Sequence, residues 1–375
     1  MEDFMDFSYL VEAVAVLTWK QVAMWCLGGL LIYLAIKKDM EPALLLPMGF
    51  GAILVNLPLS PVINPESGII ASLFKVGIEA SEAMPLLLFI GIGAMIDFGP
   101  LLTNPKLFIL GGAAQFGIFV TILLASMLGF DLKDAASIGI IGAADGPTAI
   151  HVSQILKSAY TPQILVVAYS YMALVPIVQP VVIKACTTKK ERMIRMKYAS
   201  GDVSKTTRIL FPIIVTIISA LVAPESLSLV GMLMFGNLIR ECGVLSSLSD
   251  TAQTVFANII TLLLGITISF QMQAETFLTW KIFLIMGLGL FAFVFDTIGG
   301  VMCAKLMNLF SKDKINPMVG AAGISAFPMA SRVVQKMGLK EDPTNHLLMH
   351  AIGANVSGQI ASAVVGGLII GLVLG

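Results

Sequence analysis

"GAADGPTAI", residues 142–150, places the ionisable side chain of Asp145 directly before Gly146 and Pro147, the two residue types that most readily break a helix. The chain around this stretch is strongly apolar. Of its 375 residues, 57% are hydrophobic and only 12% are charged, and the mean hydropathy is +0.92. A soluble domain cannot bury that much apolar surface, so the composition indicates a polytopic integral membrane protein.

The remaining bulk properties exclude several other classes of protein. The net charge is zero, which gives no indication of a nucleic-acid partner. The four cysteines are scattered and have the spacing of neither a disulfide framework nor a metal site. The N-terminal segment 1–19 is acidic, which is untypical of a cleaved signal peptide.

Both halves of the chain contain apolar runs long enough to cross a bilayer, at about 20 residues per span. In the first half they lie near 20–36, 44–60, 84–102, 106–129 and 162–183. In the second half they lie near 209–223, 226–241, 255–272, 280–309 and 345–375, the last interrupted by "GANVSGQ" at 353–359. Each half also has a run broken in its middle by glycine and proline, 135–159 and 315–338.

The distribution of lysine and arginine predicts the topology. The loop 184–208 carries eight Lys and Arg residues and two acids, a net charge of +6, which favours the cytoplasmic side. Lys37 and Lys38 at the end of the first span favour the same side. If Lys37–Lys38 and the loop 184–208 are both cytoplasmic, an even number of spans must separate them. The runs between them give four spans without 135–159 and five with it. We therefore predict that 135–159 does not cross and forms a re-entrant hairpin that enters from outside. A kinked spanning helix is the alternative.

The two broken runs resemble each other. "GAADGP" corresponds to "GAAGISAFP", with Gly320 following Gly142 by 178 residues and Pro328 following Pro147 by 181. Five crossings and one hairpin in each half would make the second half enter from the opposite side. We therefore predict an all-α membrane fold of two inverted-topology repeats, 20–183 and 209–375, joined by the basic loop. Substrates of such folds bind near the bilayer midplane at broken helices.

Asp145 is the strongest candidate for an ion site. An acid at membrane depth is costly and usually faces a polar cavity, and a carboxylate with freed carbonyls suits Na⁺ or a proton. The alternative is that Asp145 caps the second helix of the hairpin. Asn355 and Ser357 add neutral oxygens at the predicted interruption, where relief of a kink is the alternative.

Further candidates are Tyr171 and a set of residues at the second break. Tyr171 lies five residues before Pro176, although a tyrosine at helical spacing usually serves packing. Arg332 lies in an apolar stretch and suits a carboxylate ligand, with snorkelling to headgroups as the alternative. Asn316, Gly320 and Ser325 accompany it in the cytoplasm-facing hairpin.

Four ordered motifs give the chain a family resemblance: "GAADGPTAIHVSQ", "SYMALVPIVQP", "NPMVGAAGISAFPMASRV" and "GANVSGQIASAVVGG". With these motifs the chain resembles the β subunit of the biotin-dependent sodium-translocating decarboxylases over nearly its whole length. Members act on oxaloacetate, methylmalonyl-CoA, glutaconyl-CoA or malonate. The chain is shorter than the oxaloacetate-type members, which favours the acyl-CoA types.

The resemblance implies a function and partners. The β subunit decarboxylates carboxybiotin and exports Na⁺, taking up a proton from outside. The family's functional residues fall on Asp145, Tyr171, Asn355 and the set Asn316, Gly320, Ser325 and Arg332. Asp145, Tyr171 and Arg332 would be catalytic, the later set would bind carboxybiotin, and Asp145, Asn355 and Ser357 would bind Na⁺.

The biotin would be carried covalently on a partner, so the expected partners are a biotin carrier subunit, a carboxyltransferase α subunit, a small membrane anchor subunit and further copies of this chain. The expected location is the bacterial inner membrane, in contact with lipid and without nucleic acid. A sodium-coupled secondary carboxylate transporter is the alternative, because it also uses inverted repeats and hairpins and needs no biotinylated partner.

Overall fold

The computed structural model describes residues 15–197 and 203–375, and the regular elements in these two ranges are all helical. In the first half of the chain they are α1 (Trp19–Lys38), α2 (Pro42–Val55), α3 (Ile69–Phe74), α4 (Ala83–Met95), α5 (Gly99–Thr103), α6 (Leu107–Ala113), α7 (Phe116–Met127), α8 (Leu132–Gly139), α9 (Gly146–Ile155) and α10 (Thr161–Cys186). In the second half they are α11 (Lys189–Arg192), α12 (Lys205–Val222), α13 (Leu227–Glu241), α14 (Ser246–Thr251), α15 (Ala257–Ile268), α16 (Ala274–Phe277), α17 (Trp280–Phe310), α18 (Pro317–Ala321), α19 (Met329–Glu341) and α20 (Leu348–Leu374). Short 3₁₀ turns lie at Pro61–Ile63, Ile140–Ala143, Pro224–Ser226 and Ser269–Met272, and π-helical turns lie at Lys75–Glu79 and Ala252–Phe256.

Within the described ranges, seven helical segments are long and apolar enough to cross a membrane. They are Trp19–Lys38, Leu107–Met127, Thr161–Cys186, Lys205–Val222, Ser246–Met272, Trp280–Phe310 and Leu348–Leu374. Ile69–Glu79 and Ala83–Met95, bent by 67°, add an eighth if the pair forms one span. The chain is thus an all-helical, multi-pass membrane protein.

Fewer helices meet this length than the ten spans expected from the sequence. The run at 44–60 forms only the 14-residue α2, and the run at 226–241 forms the 15-residue α13. Both are shorter than the roughly 20 residues that an untilted span needs. The run at 44–60 extends beyond its helix into a turn, whereas α13 covers all but the first residue of a run that is itself short.

The chain divides into two compact units, each drawn from both halves of the sequence. One unit comprises the described part of Met1–Met84 together with Asn258–Phe283. In it, α1 and α2 pack closely at Gly28 and Gly49, where a Cβ on Gly28 would lie 2.6 Å from the carbonyl oxygen of Gly49. Asn56 ties the unit together, because its Nδ2 donates to the carbonyls of Ala52 and Met272, each at 2.7 Å.

The larger unit, Pro85–Ala257 with Leu284–Gly375, contains both broken runs. The first is α8, a 3₁₀ turn, Ala144 in the left-handed region (φ 51°), and α9. The second is α18, the segment 322–328, and α19. Both runs therefore have the helix–break–helix form expected from glycine and proline. Their re-entrance and the inverted repeat remain predictions.

The expected interruption of the final run at 353–359 is wrong, because α20 continues unbroken through it. This stretch contains no proline, and its glycines serve helix packing. A Cβ on Gly353 would lie 2.6 Å from the Leu107 side chain, and one on Gly358 would overlap the carbonyl oxygen of Gly323. Small residues of this kind let membrane helices approach closely without breaking them.

Candidate functional site

Three side-chain donors converge on one carboxylate oxygen of Asp145. Its Oδ2 lies 2.6 Å from Thr148 Oγ1, 3.2 Å from Gln359 Nε2 and 3.2 Å from Ser362 Oγ. Asp145 is only 3% exposed, and the three donors are buried as well. The donors come from α9 and α20, so a single carboxylate oxygen joins the first break to the last helix.

The local sequence explains why Asp145 lies at this position. Pro147 fits the first turn of α9, where an N–H would have no intrahelical partner. Gly146 provides room, because a Cβ there would overlap the ring of Tyr169. Asp145 occupies the N-cap position of α9. Its side chain makes no capping hydrogen bond to this helix, so Asp145 has the position of a cap but not the contact.

One face of α20 carries the polar groups that meet Asp145. Asn355, Gln359 and Ser362 are spaced i, i+4 and i+7, so they lie on the same side of the helix. Asn355 Nδ2 donates to the carbonyl of Ile324 at 2.6 Å. Among the described residues, Asn355 Oδ1 and Gln359 Oε1 have no hydrogen-bond partner although both are buried. A buried acceptor without a partner costs about 1–3 kcal/mol, so this face favours a ligand.

Ser357 lies on a different face of α20 from this polar row. Its hydroxyl is 2.9 Å from the carbonyl oxygen of Leu107 and 2.8 Å from that of Ala354. A Cβ on Gly111 would overlap the same hydroxyl, so Ser357 packs α20 against α6. The sequence prediction paired Ser357 with Asn355, which an interrupted helix would have allowed and a continuous one does not.

The two breaks meet through the main chain. The backbone N–H of Ser325 donates to the carbonyl of Ala143 at 3.0 Å, and the Ser325 hydroxyl donates to the carbonyl of Gly358 at 3.0 Å. Ser325 therefore contacts both the first break and α20. Gly320, earlier in the same run, packs directly on Gly300 of α17. These two predicted site residues position the second break.

Asn316 is fully buried and uses its side chain for structure. Its Oδ1 caps α18 by accepting from the Met318 N–H at 3.0 Å. Its Nδ2 donates to the carbonyls of Arg192 and Ile194 at 2.9 and 2.8 Å. These hydrogen bonds attach α18, at the start of the second broken run, to the basic loop.

Arg332 differs from the other predicted residues of the second run. It is exposed on α19, and its guanidinium makes no ion pair or hydrogen bond to any residue in the described ranges. A fixed positive charge in this state can accept a carboxylate from a ligand without first giving up an internal partner.

The two tyrosines of "AYSYMALVP" have different surroundings. The Tyr171 hydroxyl donates to the carbonyl of Met286, and its ring lies against Gly289 of α17. Tyr169, two residues earlier, packs on Gly146 beside Asp145, and its buried hydroxyl has no partner in the described part of the chain. Tyr169 is thus the tyrosine at the first break.

Tyr169, Thr148, Gln359 and Ser362 were not among the residues predicted from the sequence. Gln359 and Ser362 could have been found from their helical spacing to Asn355, had α20 been read as continuous. Thr148, three residues after Asp145, lies on the next turn of the same helix. Nothing in the sequence distinguished Tyr169, because a tyrosine in an apolar helix usually indicates packing.

A second buried acid, Asp296, lies beside the first break: a Cβ on Gly142 would lie 2.5 Å from its Oδ2, which has no hydrogen-bond partner among the described residues. Asp296 is fully buried in the middle of α17. Its Oδ1 accepts the backbone N–H groups of Gly117 and Ile118, the latter at 3.2 Å, in the first turn of α7. Asp296 thus serves the N-terminus of another helix.

The donor set at Asp145 suits a small hard cation. The Asp145 carboxylate is joined by the Thr148 and Ser362 hydroxyls, and Asn355 Oδ1 and Gln359 Oε1 are partnerless amide oxygens on the same face of α20; oxygens of these types are the ligands that alkali and alkaline-earth cations prefer. No group of three or more His, Cys, Asp or Glu side chains in residues 15–197 and 203–375 could hold a metal ion.

Comparison with known proteins agrees with this chemistry. The profile of the family described as "Na⁺-transporting oxaloacetate decarboxylase beta subunit" matches residues 20–373. The methylmalonyl-CoA decarboxylase subunit beta of Propionigenium modestum is 48% identical over 373 residues, covering 94% of each chain. The glutaconyl-CoA decarboxylase subunit beta of Acidaminococcus fermentans is 47% identical over 358 residues, covering 96% of this chain and 94% of its own.

A relative with a third substrate is similar over the same extent. The oxaloacetate decarboxylase beta chain of Klebsiella pneumoniae is 43% identical over 414 residues, covering 94% of this chain and 95% of its own. The family resemblance expected from the four motifs is thereby confirmed. The chain belongs to the family of the Na⁺-transporting oxaloacetate decarboxylase β subunits.

Proposed function

We propose that this chain decarboxylates carboxybiotin and couples the reaction to Na⁺ export and uptake of an external proton, as the membrane subunit of a biotin-dependent decarboxylase complex. The observation that carries the proposal is the convergence of Thr148, Gln359 and Ser362 on one oxygen of the buried Asp145. A buried acid with this donor set, at a broken helix of a membrane protein, is typical of an ion pathway.

For the Na⁺ site, the proposal keeps Asp145 and Asn355 and takes Gln359 in place of Ser357. The support is that Asn355 Oδ1 and Gln359 Oε1 are buried acceptors without partners in the described ranges, whereas the Ser357 hydroxyl contacts two carbonyls. Na⁺ and a proton compete for the one carboxylate, because a bound cation favours its ionised form. A proton from outside therefore displaces Na⁺ from Asp145.

For carboxybiotin, the proposal assigns the contact with the carboxylate to Arg332, which is exposed and unpaired within the described residues. Asn316, Gly320 and Ser325 then hold the second break in place, since their side chains or backbones contact neighbouring elements. In the reaction the N–CO₂ bond breaks, the electron pair stays on the ureido nitrogen, and that nitrogen takes up the proton. Tyr171 is proposed to pass the proton from Asp145.

Coupling requires that the proposed Na⁺ site and the proposed carboxybiotin site affect each other. The hydrogen bond from Ser325 to Ala143 supports this step, because it joins the break that would bind carboxybiotin to the break that carries Asp145. Moving one Na⁺ outward against the membrane potential costs about 2.3 kcal/mol per 100 mV, which the loss of CO₂ is proposed to offset.

The partners follow from the same proposal. Carboxybiotin would arrive on a biotin carrier subunit, loaded by a carboxyltransferase α subunit, with a small anchor subunit and further copies of this chain completing the complex in the bacterial inner membrane. The two acyl-CoA relatives are 47–48% identical and the oxaloacetate relative 43%. This difference supports an acyl-CoA as the acid that the complex decarboxylates.

The test is Asp145→Asn in the reconstituted complex, with the rate of carboxybiotin decarboxylation measured against Na⁺ concentration. We expect the Na⁺-dependent rate to fall to background. The comparison variant is Asp296→Asn, which changes the other buried acid beside the first break, and its amide oxygen can still accept the N–H groups of Gly117 and Ile118. We expect this variant to keep its Na⁺ dependence.

Two results would contradict the proposal. One is near-normal Na⁺-dependent turnover by the Asp145→Asn complex. The other is Na⁺ uptake by the purified chain that is driven by a carboxylate gradient and insensitive to avidin, which would favour a secondary carboxylate transporter.

A further inference from the structure

A cavity of about 380 Å³ in the larger unit is lined by an excess of basic side chains. Three separate segments contribute to it: 103–106 between α5 and α6, 195–197 in the basic loop, and 311–315 after α17. Its five basic residues are Lys106, Arg195, Lys197, Lys312 and Lys314. Asp313 is the single acid in its lining.

Most of this positive charge has no counter-ion within the described residues. Arg195 pairs with Asp342 at 2.7 Å, and Lys314 donates to the carbonyl of Asn308. The side chains of Lys106, Lys197 and Lys312 make no ion pair or hydrogen bond to residues 15–197 or 203–375. Three unpaired cations around one concave space attract an anion.

The position of the cavity identifies the kind of anion. One of its edges lies where the candidate span Leu107–Met127 begins, and another lies just after Trp280–Phe310 ends. Exposed apolar residues lie within three positions of its lining residues in the sequence of these helices: Phe310 is 86% exposed, Leu309 75% and Ile109 55%. Basic groups at the ends of spans suit the anionic headgroup of a lipid, and exposed apolar side chains close by suit its acyl chains.

We propose that this cavity binds the headgroup of an anionic phospholipid. Its phosphodiester contacts Lys106, Lys197 and Lys312, and its acyl chains lie along Ile109, Leu309 and Phe310. Basic pockets between membrane helices are suited to such headgroups. An acidic protein surface would satisfy the lysines but would leave the apolar residues exposed, so the lipid is the better occupant.

The proposed lipid has a structural consequence. It would join the segments 195–197 and 311–315. The first directly follows Ile194 and the second directly precedes Asn316, whose side chain donates to the carbonyls of Arg192 and Ile194. Headgroup binding therefore stabilises the attachment of the basic loop to the second break. The inference is independent of the proposed chemistry at Asp145.

The test is native mass spectrometry of the full chain, purified in detergent and incubated with phosphatidylglycerol or phosphatidylethanolamine. We expect the wild-type chain to retain phosphatidylglycerol preferentially. The variant Lys106→Gln/Lys197→Gln/Lys312→Gln should lose the preference by roughly a hundredfold, because each basic side chain near an anionic lipid contributes about fivefold. The variant with arginine at all three positions should keep it, which separates loss of charge from misfolding.

The matched control is Lys184→Gln/Lys189→Gln/Lys190→Gln, which removes the same charge from exposed lysines of the basic loop outside the cavity. It should retain phosphatidylglycerol as the wild type does. Equal loss in this control would overturn the proposal, since it would mean a diffuse charge effect. So would equal retention of both lipids by the wild type, or displacement of the lipid by a small molar excess of inorganic phosphate. Loss of carrier-subunit binding with unchanged lipid retention in the cavity variant would assign the cavity to a protein partner instead.

Discussion

At the scale of single residues, the environment of Asp145 depends on side chains that are far apart in the sequence. Gln359 and Ser362 reach it from α20, more than 200 residues away, while Thr148 is a local neighbour. Local sequence alone identified Asp145, because an acid before glycine and proline is conspicuous in an apolar chain. It did not identify the partners, because their contact with Asp145 depends on tertiary packing.

Replacement of Gln359 should weaken Na⁺ binding. Gln359→Leu removes both the donor to Asp145 and a free amide oxygen, and a hydrogen bond to a charged group contributes about 1.5–3 kcal/mol. We expect the Na⁺ concentration for half-maximal decarboxylation to rise roughly ten- to hundredfold. Ser357→Ala, measured in the same assay, should have a smaller effect. The reverse order would restore Ser357 as the ligand.

Replacement of Arg332 should affect the organic substrate instead. Arg332→Gln removes an exposed and internally unpaired guanidinium, so the KM for carboxybiotin should rise by roughly tenfold or more while the melting temperature stays unchanged. Lys336→Gln is the control, because Lys336 is exposed one turn further along α19. Equal KM values for the two variants would argue against a carboxylate contact at Arg332.

At the scale of elements, the two broken runs were predictable and the last helix was not. Glycine and proline together end helices by a local mechanism, so the breaks near Gly146 and Pro328 follow from sequence. "GANVSGQ" also looks irregular, but its glycines lie where α20 packs on other elements, and helix–helix contact overrides their low propensity. Glycine without proline is therefore ambiguous in a membrane helix.

The close contact of Gly320 with Gly300 gives a prediction at this scale. Gly320→Ala would force a Cβ into the Gly300 carbonyl, and such overpacking costs about 1–3 kcal/mol. We expect a lower melting temperature of the purified chain. Gly287→Ala on α17 meets nothing within 4 Å and should leave the melting temperature unchanged or raise it. A similar drop in melting temperature in both variants would mean that the contact between Gly320 and Gly300 does not cause the loss of stability.

At the scale of the whole molecule, the sequence predicted an all-helical membrane protein but not its division into compact units. Hydropathy reports burial in lipid or protein without distinguishing them, so it overestimated the length of α2 and counted the short α13 as a full span. The two units draw on both halves of the chain, whereas the predicted repeats are consecutive in sequence. Internal symmetry and spatial compactness are separate properties, and only the second depends on long-range contacts.

The inverted topology can be tested by chemical labelling. In a background with the four native cysteines replaced, Leu132→Cys should react with a membrane-impermeant maleimide in intact cells, because the loop before α8 is predicted to lie outside. Lys190→Cys, in the basic loop, should react only after the cells are opened. Both positions are exposed. Labelling of both from the same side would exclude a re-entrant first run.

The attachment of the basic loop by Asn316 has a consequence for how this protein can change over time. The Asn316 side chain donates to the main-chain carbonyls of Arg192 and Ile194. The Asn345 side chain donates to the same two carbonyls at 3.2 and 3.3 Å. Every amino acid supplies such a carbonyl. These hydrogen bonds would therefore survive a change of side chain at Ile194, whereas at Arg192 the guanidinium also holds the segment through Glu341 and the Thr187 carbonyl.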